Sequence, residues 1–246
     1  MYANTNNMAI NLEKGQRINL EKTNGSKLTN FCVGCNWGAI ETTKYKEVVI
    51  SEGFLGLGRK TEMRPYKEEI DVDVDLSCVM VDADGEFVDG LYSSLYRPEF
   101  LQRYGFPKGK ELSLDGALNS AGDDTEGDKG GDDGLDNEII SVNLDKVSPR
   151  TEQIFFFLNI CSPNTIDFLK IPYAAIRMYE GTPTKVNEVF AKYDVARERQ
   201  FEGKRALIMG KLYRHNGEWK FAAIGEAFSD DNLCLTMKRI LRDYTK

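Results

Sequence analysis

Short runs of β-type residues, each closed by a turn after about ten residues, recur along most of this 246-residue chain. Runs rich in Val, Ile, Phe and Tyr, bounded by Gly, Pro, Asn or Asp, are typical of antiparallel strands. The most distinct are Phe31–Trp37, Gln153–Ile160 and Ala206–Tyr213. The sequence shows no regular alternation of strands and helices, which would indicate a parallel sheet. We therefore predict an all-β fold, a two-sheet antiparallel β-sandwich.

Turn residues and one change of period add detail to this pattern. Asn216-Gly217 is a strong signal for a type I′ hairpin turn. Ala9–Leu12 and Arg17–Leu20, separated by Lys14-Gly15, predict a hairpin at the N-terminus. The apolar residues of Leu233–Tyr244 fall at helical spacing, so we predict one C-terminal helix. The remaining strong strand predictions are Ile139–Leu144, Ala174–Tyr179, Val186–Tyr193 and Trp219–Ile224.

A polar segment, residues 39–69, interrupts the strand pattern. It contains three glycines, Gly53, Gly56 and Gly58, and Pro65. Because glycine and proline are the strongest breakers of regular structure, we predict a long insertion loop with little regular structure, except at Glu47–Ile50. We expect residues 8–246 to form a single domain, preceded by a flexible extension of residues 1–7.

The centre of this insertion is similar to a phosphate-binding loop, but two features argue against nucleotide binding. That motif needs a lysine directly after its last glycine and a helix beyond it. Here Arg59 separates Gly58 from Lys60, and Pro65 follows shortly afterwards. We therefore expect no nucleotide partner.

Cysteine and histidine usage gives no support for a catalytic or zinc site. The five cysteines are widely scattered and odd in number, which favours reduced, buried thiols and a cytoplasmic location. Cys32 and Cys35 lie three residues apart on a predicted strand, so their side chains face opposite sides of a sheet. His215 is the only histidine, and no nucleophile motif accompanies it. We expect no enzyme activity.

The excess negative charge is concentrated in one segment, residues 122–138. The formal net charge of the chain is −7, a sign that argues against nucleic-acid binding because phosphates require a basic surface. The segment has one basic residue, Lys129, and eight acids that account for the whole excess: Asp123, Asp124, Glu126, Asp128, Asp132, Asp133, Asp136 and Glu138. These carboxylates repel one another, so the segment either stays extended and solvated or wraps a cation.

Glycines interleaved with the acids favour the cation. Gly122, Gly127, Gly130, Gly131 and Gly134 permit positive φ and let backbone carbonyls turn inward. Ca²⁺ takes about six to eight oxygen ligands from carboxylates, carbonyls and water. Mg²⁺ prefers a rigid octahedral site, and zinc prefers the Cys or His ligands that this segment lacks. The segment therefore predicts a Ca²⁺ site.

A second row of acids lies on the predicted strand Ile70–Val81. Its strict alternation places Asp71, Asp73 and Asp75 on one face and the aliphatic residues on the other. The row is not an EF-hand, because Leu76 replaces the required glycine. Such a row is costly unless it is solvated or metal-bound, and a site shared with the acidic segment is one of these alternatives.

Several segments together resemble the TerD family of tellurium-resistance and stress-response proteins. They are Met8–Lys22, Val33–Gly38, Asp71–Val81, Gly122–Leu144 and Tyr213–Gly225. The resemblance covers nearly the whole chain and implies a two-sheet β-sandwich that binds one or two Ca²⁺ ions between loops at the strand ends. It implies a bacterial or phage-like stress context and no defined catalytic reaction.

The resemblance also implies which residues bind the metal. Asp73 and Asp75 match the family's strand acids, and Asp123, Asp124, Asp136 and Glu138 match the two ends of its loop. The centre of the loop is longer than the family pattern, so its acids are candidate ligands without individual assignments: Glu126, Asp128, Asp132 and Asp133. Gly38, where many members carry an acid, indicates a divergent subgroup together with the insertion Glu41–Glu69.

These inferences converge on a Ca²⁺-binding stress-response or tellurium-resistance protein that acts as a metal-dependent interaction module. We expect its partners to be proteins of a stress-response complex, with membrane association of that complex left open. The alternative is Ca²⁺-dependent binding to an anionic membrane surface, where the metal bridges acidic loops and lipid. An enzyme of unknown reaction is the least favoured reading.

Overall fold

Two six-stranded sheets account for most of the computed structural model, which describes residues 9–22, 25–52, 58–195 and 199–246. The strands are β1 (Ile10–Asn11), β2 (Arg17–Asn19), β3 (Asn30–Trp37), β4 (Ile40–Ser51), β5 (Lys60–Ile70), β6 (Val74–Val81), β7 (Phe87–Leu91), β8 (Leu118–Ser120), β9 (Glu138–Asn143), β10 (Gln153–Ile160), β11 (Ala174–Thr182), β12 (Lys185–Asp194), β13 (Ala206–His215) and β14 (Glu218–Phe228), and the helices are α1 (Pro98–Tyr104) and α2 (Leu233–Asp243). In the described part of the chain, no helix is long and apolar enough to cross a membrane.

The first sheet has the order β1-β12-β11-β3-β9-β8, and the second has the order β2-β14-β13-β10-β6-β7. Neighbouring strands are antiparallel, except that β1 runs parallel to β12. The main core lies between the sheets and contains side chains of both, such as Trp37 from β3 and Phe156 from β10. The predicted all-β sandwich is therefore confirmed.

Strand β10 is buried on both faces, which explains its nearly continuous apolar sequence. Phe156 points into the main core, whereas Phe155 and Phe157 pack beneath the two helices. Helix α2 covers that outer face with Leu233 and Met237, both fully buried. The helix predicted at the C-terminus is confirmed.

The N-terminal hairpin predicted from residues 9–20 is wrong. Strand β1 pairs with β12 in the first sheet, and β2 pairs with β14 in the second. The turn at Gly15, where φ is +82°, carries the chain from one sheet to the other, and Gly15 N donates to Ala223 O at 2.9 Å. Local turn signals specify a reversal of the chain but not which sheet each strand joins.

The insertion forms regular structure, contrary to the prediction of a loop with little. Strands β4 and β5 pair with each other from Ile40↔Ile70 to Ser51↔Lys60, as a long two-stranded ribbon. Their side chains are mostly exposed on both faces, so the hydrophobic alternation that identifies a half-buried strand is weak here. Residues 53–57 of the loop similar to a phosphate-binding motif, and the extension 1–7, lie outside the described residues.

The cysteine predictions hold for four of the five residues. Cys32 and Cys35 are buried on opposite faces of β3, as their spacing predicted, and all five cysteines are free. Cys161 differs, because it directly follows β10 at the end of the sandwich and is exposed.

Candidate metal centre

Three carboxylates meet at one end of the sandwich. Each of Asp75, Asp123 and Glu138 offers an oxygen atom, and these atoms all lie within 4.8 Å of one another. Asp75 is 4% exposed and Glu138 is 5% exposed, whereas Asp123 is exposed. Two nearly buried acids beside a third, exposed acid form a concave cluster of oxygen donors.

The two sheets bring these carboxylates together. Asp75 lies near the start of β6 in the second sheet, and Glu138 begins β9 in the first. Glu138 spans the gap, because its Oε2 accepts a hydrogen bond from Leu76 N at 2.5 Å. Its Oε1 accepts a hydrogen bond from Asp124 N at 3.3 Å. This bond attaches the start of the acidic segment, residues 122–138, which we call the acidic loop, to the same carboxylate.

The strand that carries Asp75 begins later than the sequence predicted. Residues 71–73 lie outside any strand, and β6 starts at Val74. Ile70 ends β5 and is 39% exposed, so it does not share the buried face of Val72. Asp71 points away from the cluster and pairs with Lys129 at 3.1 Å. The row of three acids is therefore split, and only Asp73 and Asp75 lie at the candidate centre.

Burial and mutual repulsion raise the pKa values of these acids. Burial, reinforced by the charge of Asp75, raises the pKa of Glu138 to about 10. Burial raises the pKa of Asp75 to about 6, against the effect of hydrogen bonds from Cys161 and Tyr96. No ion pair formed within the described ranges involves either carboxylate. These acids therefore hold their protons more tightly than free carboxyl groups do, and no basic side chain of the described residues offsets their charge when they ionise.

Asp73 extends the cluster beside the Cys161 thiol. Asp73, Asp75 and Cys161 also offer ligand atoms within 4.8 Å of one another. Burial and the charges of neighbouring acids, Asp75 first, raise the pKa of Asp73 to about 7. Its Oδ1 is buried and has no hydrogen-bond partner in the described structure. An unpartnered buried carboxylate oxygen is costly unless a cation or water satisfies it.

Cys161 and Tyr96 are site residues that sequence reasoning missed. The Cys161 thiol donates to Asp75 Oδ2 at 2.9 Å, and the Tyr96 hydroxyl donates to the same oxygen at 2.7 Å. Asn159 of β10 lies opposite Asp75 of β6. Cys161, two residues after Asn159, therefore reaches the Asp75 carboxylate. This pairing of strands was the only signal that placed Cys161 here, and it is not readable from the sequence.

A second group of carboxylates lies further along the acidic loop. Asp128, Asp132 and Asp133 offer oxygens within 4.8 Å of one another. Asn36 of β3, 7% exposed, donates through Nδ2 to Asp128 Oδ2 at 3.3 Å and to Asp132 Oδ1 at 3.2 Å. Its Oδ1 is buried without a partner in the described structure. Tyr173 also donates to Asp128 Oδ2, at 2.9 Å.

Asn137 and Asp124 connect the two groups. Asn137 Nδ2 donates to Asp128 Oδ1 at 2.9 Å and to Asp124 Oδ2 at 3.4 Å, and its Oδ1 accepts from Trp37 N at 2.9 Å. Asp124 Oδ1 accepts from Glu126 N and Gly127 N at 2.8 and 3.1 Å. These contacts hold Asp124 beside both groups.

The other predicted ligands have basic partners. Asp136 forms an ion pair with Arg177 at 2.8 Å, and its side chain is only 1% exposed. Glu126 forms an ion pair with Lys129 at 2.7 Å on the surface. The structure thus brings Asp73, Asp75, Asp123 and Glu138 into one group and Asp128, Asp132 and Asp133 into another.

One glycine of the loop is required by close packing. Gly127 has φ of +74°, and a Cβ there would lie 2.6 Å from the Trp37 ring. Trp37 in turn donates through Nε1 to Val72 O at 2.6 Å. The loop is therefore packed against the core and held beside the segment 71–73 that precedes β6, which differs from a freely solvated acidic linker.

The donor chemistry suits a hard divalent cation. The groups Asp75–Asp123–Glu138 and Asp128–Asp132–Asp133 consist of oxygen donors, which Ca²⁺ prefers over the nitrogen and sulfur ligands typical of zinc. The unpartnered oxygens of Asp73 and Asn36 are additional donors of the same kind. The residues present therefore fit Ca²⁺.

Comparison with known proteins gives a consistent family. The TerD domain matches residues 8–239. The chain is 32% identical over 232 residues to the stress response protein SCP2 of Bacillus subtilis (strain 168), covering 92% of this chain and 96% of that protein. It is 27% identical over 225 residues to the tellurium resistance protein TerD of Serratia marcescens, covering 90% and 92% respectively.

A solved structure supports the same fold. A homologue of the telluride resistance protein (TerD) from Streptomyces coelicolor A3(2) superposes with a TM-score of 0.53 at 14% identity. The similarity covers 89% of this chain and 98% of that chain. At this level of identity the similarity establishes the architecture alone.

Proposed function

The chain belongs to the TerD domain family, which includes tellurium-resistance and general stress-response proteins, and from that premise we propose that it is a Ca²⁺-binding, metal-dependent interaction module of the cytoplasm. The observation that carries this proposal is the group Asp75, Asp123 and Glu138. Their oxygens lie within 4.8 Å of one another, and two of the three side chains are nearly buried and have no basic partner among the described residues. A bound divalent cation would displace the proton of Glu138 and balance the charge of the three carboxylates.

The acidic loop is also placed to transmit metal binding to a partner surface. Its backbone forms hydrogen bonds to the chain on both sides of the β4–β5 ribbon, just before β4 and just after β5, where the ribbon joins the sandwich; we call this the ribbon root. Asp128 bonds through its backbone to Trp37 O and Ala39 N, each at 2.9 Å, just before β4 begins. Beyond the end of β5, Val72 N donates to Glu126 O at 3.1 Å. A cation that orders the loop would therefore fix the ribbon relative to the sandwich.

The experiment is calorimetry of Ca²⁺ binding to chelator-treated protein, together with the melting temperature. We expect binding heat and a rise in Tm with Ca²⁺, because a ligand that binds only the folded state stabilises it. Asp75, Asp123 and Glu138 line one pocket together with Glu111. Asp75→Asn should abolish both effects, whereas Glu111→Gln should leave them intact. No heat of Ca²⁺ binding and no rise in Tm at millimolar Ca²⁺ in the wild type would contradict the proposal.

A second candidate function is Ca²⁺-dependent binding to an anionic membrane surface. Two exposed leucines favour it: Leu95, 74% exposed, lines the pocket beside Asp123, and Leu135 of the acidic loop is 53% exposed. Apolar loop tips next to a bound cation could enter a lipid headgroup layer while the metal contacts phosphate. Flotation with phosphatidylserine vesicles tests this, and retention that does not depend on Ca²⁺ contradicts it.

A further inference from the structure

The β4–β5 ribbon has only two strands and exposes several large apolar side chains. Among the described strands, β4 and β5 pair only with each other. Tyr45, Met63 and Ile50 are 63%, 58% and 49% exposed on the ribbon. A two-stranded ribbon alone in water is marginally stable, and a third strand or a packed face is usually needed. The ribbon therefore has the properties of a docking surface.

Pro65 shows which edge of the ribbon is open. It lies opposite Tyr45, within a ladder that continues on both sides. Proline is tolerated in a strand where its missing N–H faces away from the partner strand. The outer edge of β5 is thus interrupted, whereas β4 offers a continuous outer edge. On β4, the same register directs the backbone groups of the odd-numbered residues 41–49 outward.

The acidic loop supports this assignment independently. Trp37 O and Ala39 N, also odd-numbered positions, bond to the backbone of Asp128. Asp128 therefore begins to pair along the same side of the chain, in a single parallel bridge to Gly38. From residue 41 onward no described strand pairs with this edge. Free N–H and C=O groups in such a row are a template for strand addition.

The side chains of β4 determine what kind of strand fits. Lys44 and Lys46 point to one face, because they are two residues apart. Lys44 forms an ion pair with Glu68 on β5. Lys46 lies 5.5 Å from the centre of the Tyr66 ring and has no ion pair in the described structure. Acidic residues opposite these lysines and an apolar residue opposite Tyr45 would complement the edge.

We propose that the free edge of β4 binds an extended segment of a partner protein in which acidic residues alternate with apolar ones. The partner strand adds to β4 as a third strand of the ribbon. This proposal rests on the proposed function, because the acidic loop that would bind the metal also contacts the ribbon root. It adds the chemistry of the partner that the interaction module would bind.

The test measures binding of the fluorescein-labelled peptide VVTEVEVTK to full-length protein in Ca²⁺ by fluorescence anisotropy. This peptide places acids opposite Lys44 and Lys46 when it runs antiparallel to β4. We expect binding that is at least about tenfold weaker for the K44E/K46E variant, since like charges then face each other. The charge-reversed peptide VVTKVKVTK should bind that variant better than the wild type. Lys108→Glu, an exposed lysine outside the ribbon, should change nothing.

Two further measurements separate strand addition from charge attraction. Methylation of the peptide amides that face β4 should abolish binding, because it removes the ladder hydrogen bonds and keeps the charges. Thr43→Pro should weaken binding without lowering Tm, because the lost N–H faces outward. Equal binding of the methylated peptide, or no binding of VVTEVEVTK to Ca²⁺-loaded protein, would overturn the proposal. So would a dimer that Thr43→Pro dissociates, since a second copy would then occupy the edge.

The outcome with chelator distinguishes this proposal from the proposed function. If Ca²⁺ binds by calorimetry but the peptide does not, the docking edge is refuted and the metal site stands. If the peptide binds equally in chelator, the docking edge stands and the metal-dependent switch fails.

Discussion

Glu138→Gln should remove the effect of Ca²⁺ on stability while leaving the metal-free protein almost as stable as before. Glu138 is 5% exposed, and burial raises its pKa to about 10. In metal-free protein at neutral pH it is therefore held in the neutral, protonated form. Glutamine is neutral and similar in shape, and its carbonyl oxygen can still accept from Leu76 N, which is 2.5 Å from Glu138 Oε2. Its amide nitrogen cannot accept from Asp124 N, so the substitution loses only that longer contact of 3.3 Å.

The magnitude follows from linkage. Ca²⁺ at about 100 times its Kd stabilises the folded state by about 2.7 kcal/mol. For a chain of 246 residues, each kcal/mol shifts Tm by roughly 2–4 °C, so Ca²⁺ should raise the wild-type Tm by roughly 5–11 °C. The substitution removes a charged ligand, so the shift should shrink to near zero in the variant.

The assay is thermal unfolding by circular dichroism in chelator and in excess Ca²⁺, with Glu111→Gln as the matched control. A full Ca²⁺ shift in Glu138→Gln would refute the role of this carboxylate. A large fall in the Tm of the metal-free variant would refute the inference that Glu138 is neutral without metal.

Three further outcomes are expected. Ca²⁺ binding at pH 7 should release about one proton from Glu138, whose pKa is raised to about 10; calorimetry in buffers of different ionisation enthalpy measures this, and a heat independent of the buffer contradicts it. Metal-free protein should lose stability as the pH rises through about 6 to 7. The folded protein binds the protons of Asp75 and Asp73 more tightly than the unfolded chain does, because folding raises their pKa values to about 6 and about 7. This contribution to stability is complete below the pKa values of the unfolded chain and is lost above those of the folded protein. Each proton held only by the folded state contributes about 1.4 kcal/mol per pH unit, so urea unfolding in chelator that shows greater stability at pH 8 than at pH 5.5 would reverse the expected sign. Gly34→Ala should lower stability by about 1–3 kcal/mol, because its Cβ would lie 2.1 Å from Asp136 Oδ2; an unchanged urea midpoint would show that Asp136 moves freely.

The sequence predicted best the elements whose local pattern reflects burial. Gln153–Ile160 was predicted with its observed bounds, because a strand buried on both faces is apolar throughout. The β4–β5 ribbon was missed because both of its faces are mostly exposed, so backbone pairing rather than burial defines it. The N-terminal hairpin was wrong because a turn signal does not reveal which sheet receives each strand.

The candidate site shows the same division. Charge concentration and glycine spacing identified the acidic loop. Strand alternation singled out Asp71, Asp73 and Asp75, and the resemblance narrowed this row to Asp73 and Asp75. Cys161, Asn36 and Tyr173 could not be identified, because each reaches the carboxylates only through the packing of strands distant in sequence. Backbone and side-chain partners from other strands shape this site, and a linear pattern of acids does not specify them.

A crystal structure grown in Ca²⁺, with anomalous scattering data to identify the ion, tests the central claim most directly. We predict an anomalous peak at about 2.3–2.6 Å from carboxylate oxygens of Asp75, Asp123 and Glu138. Water alone between these three carboxylates, at saturating Ca²⁺, would contradict the account.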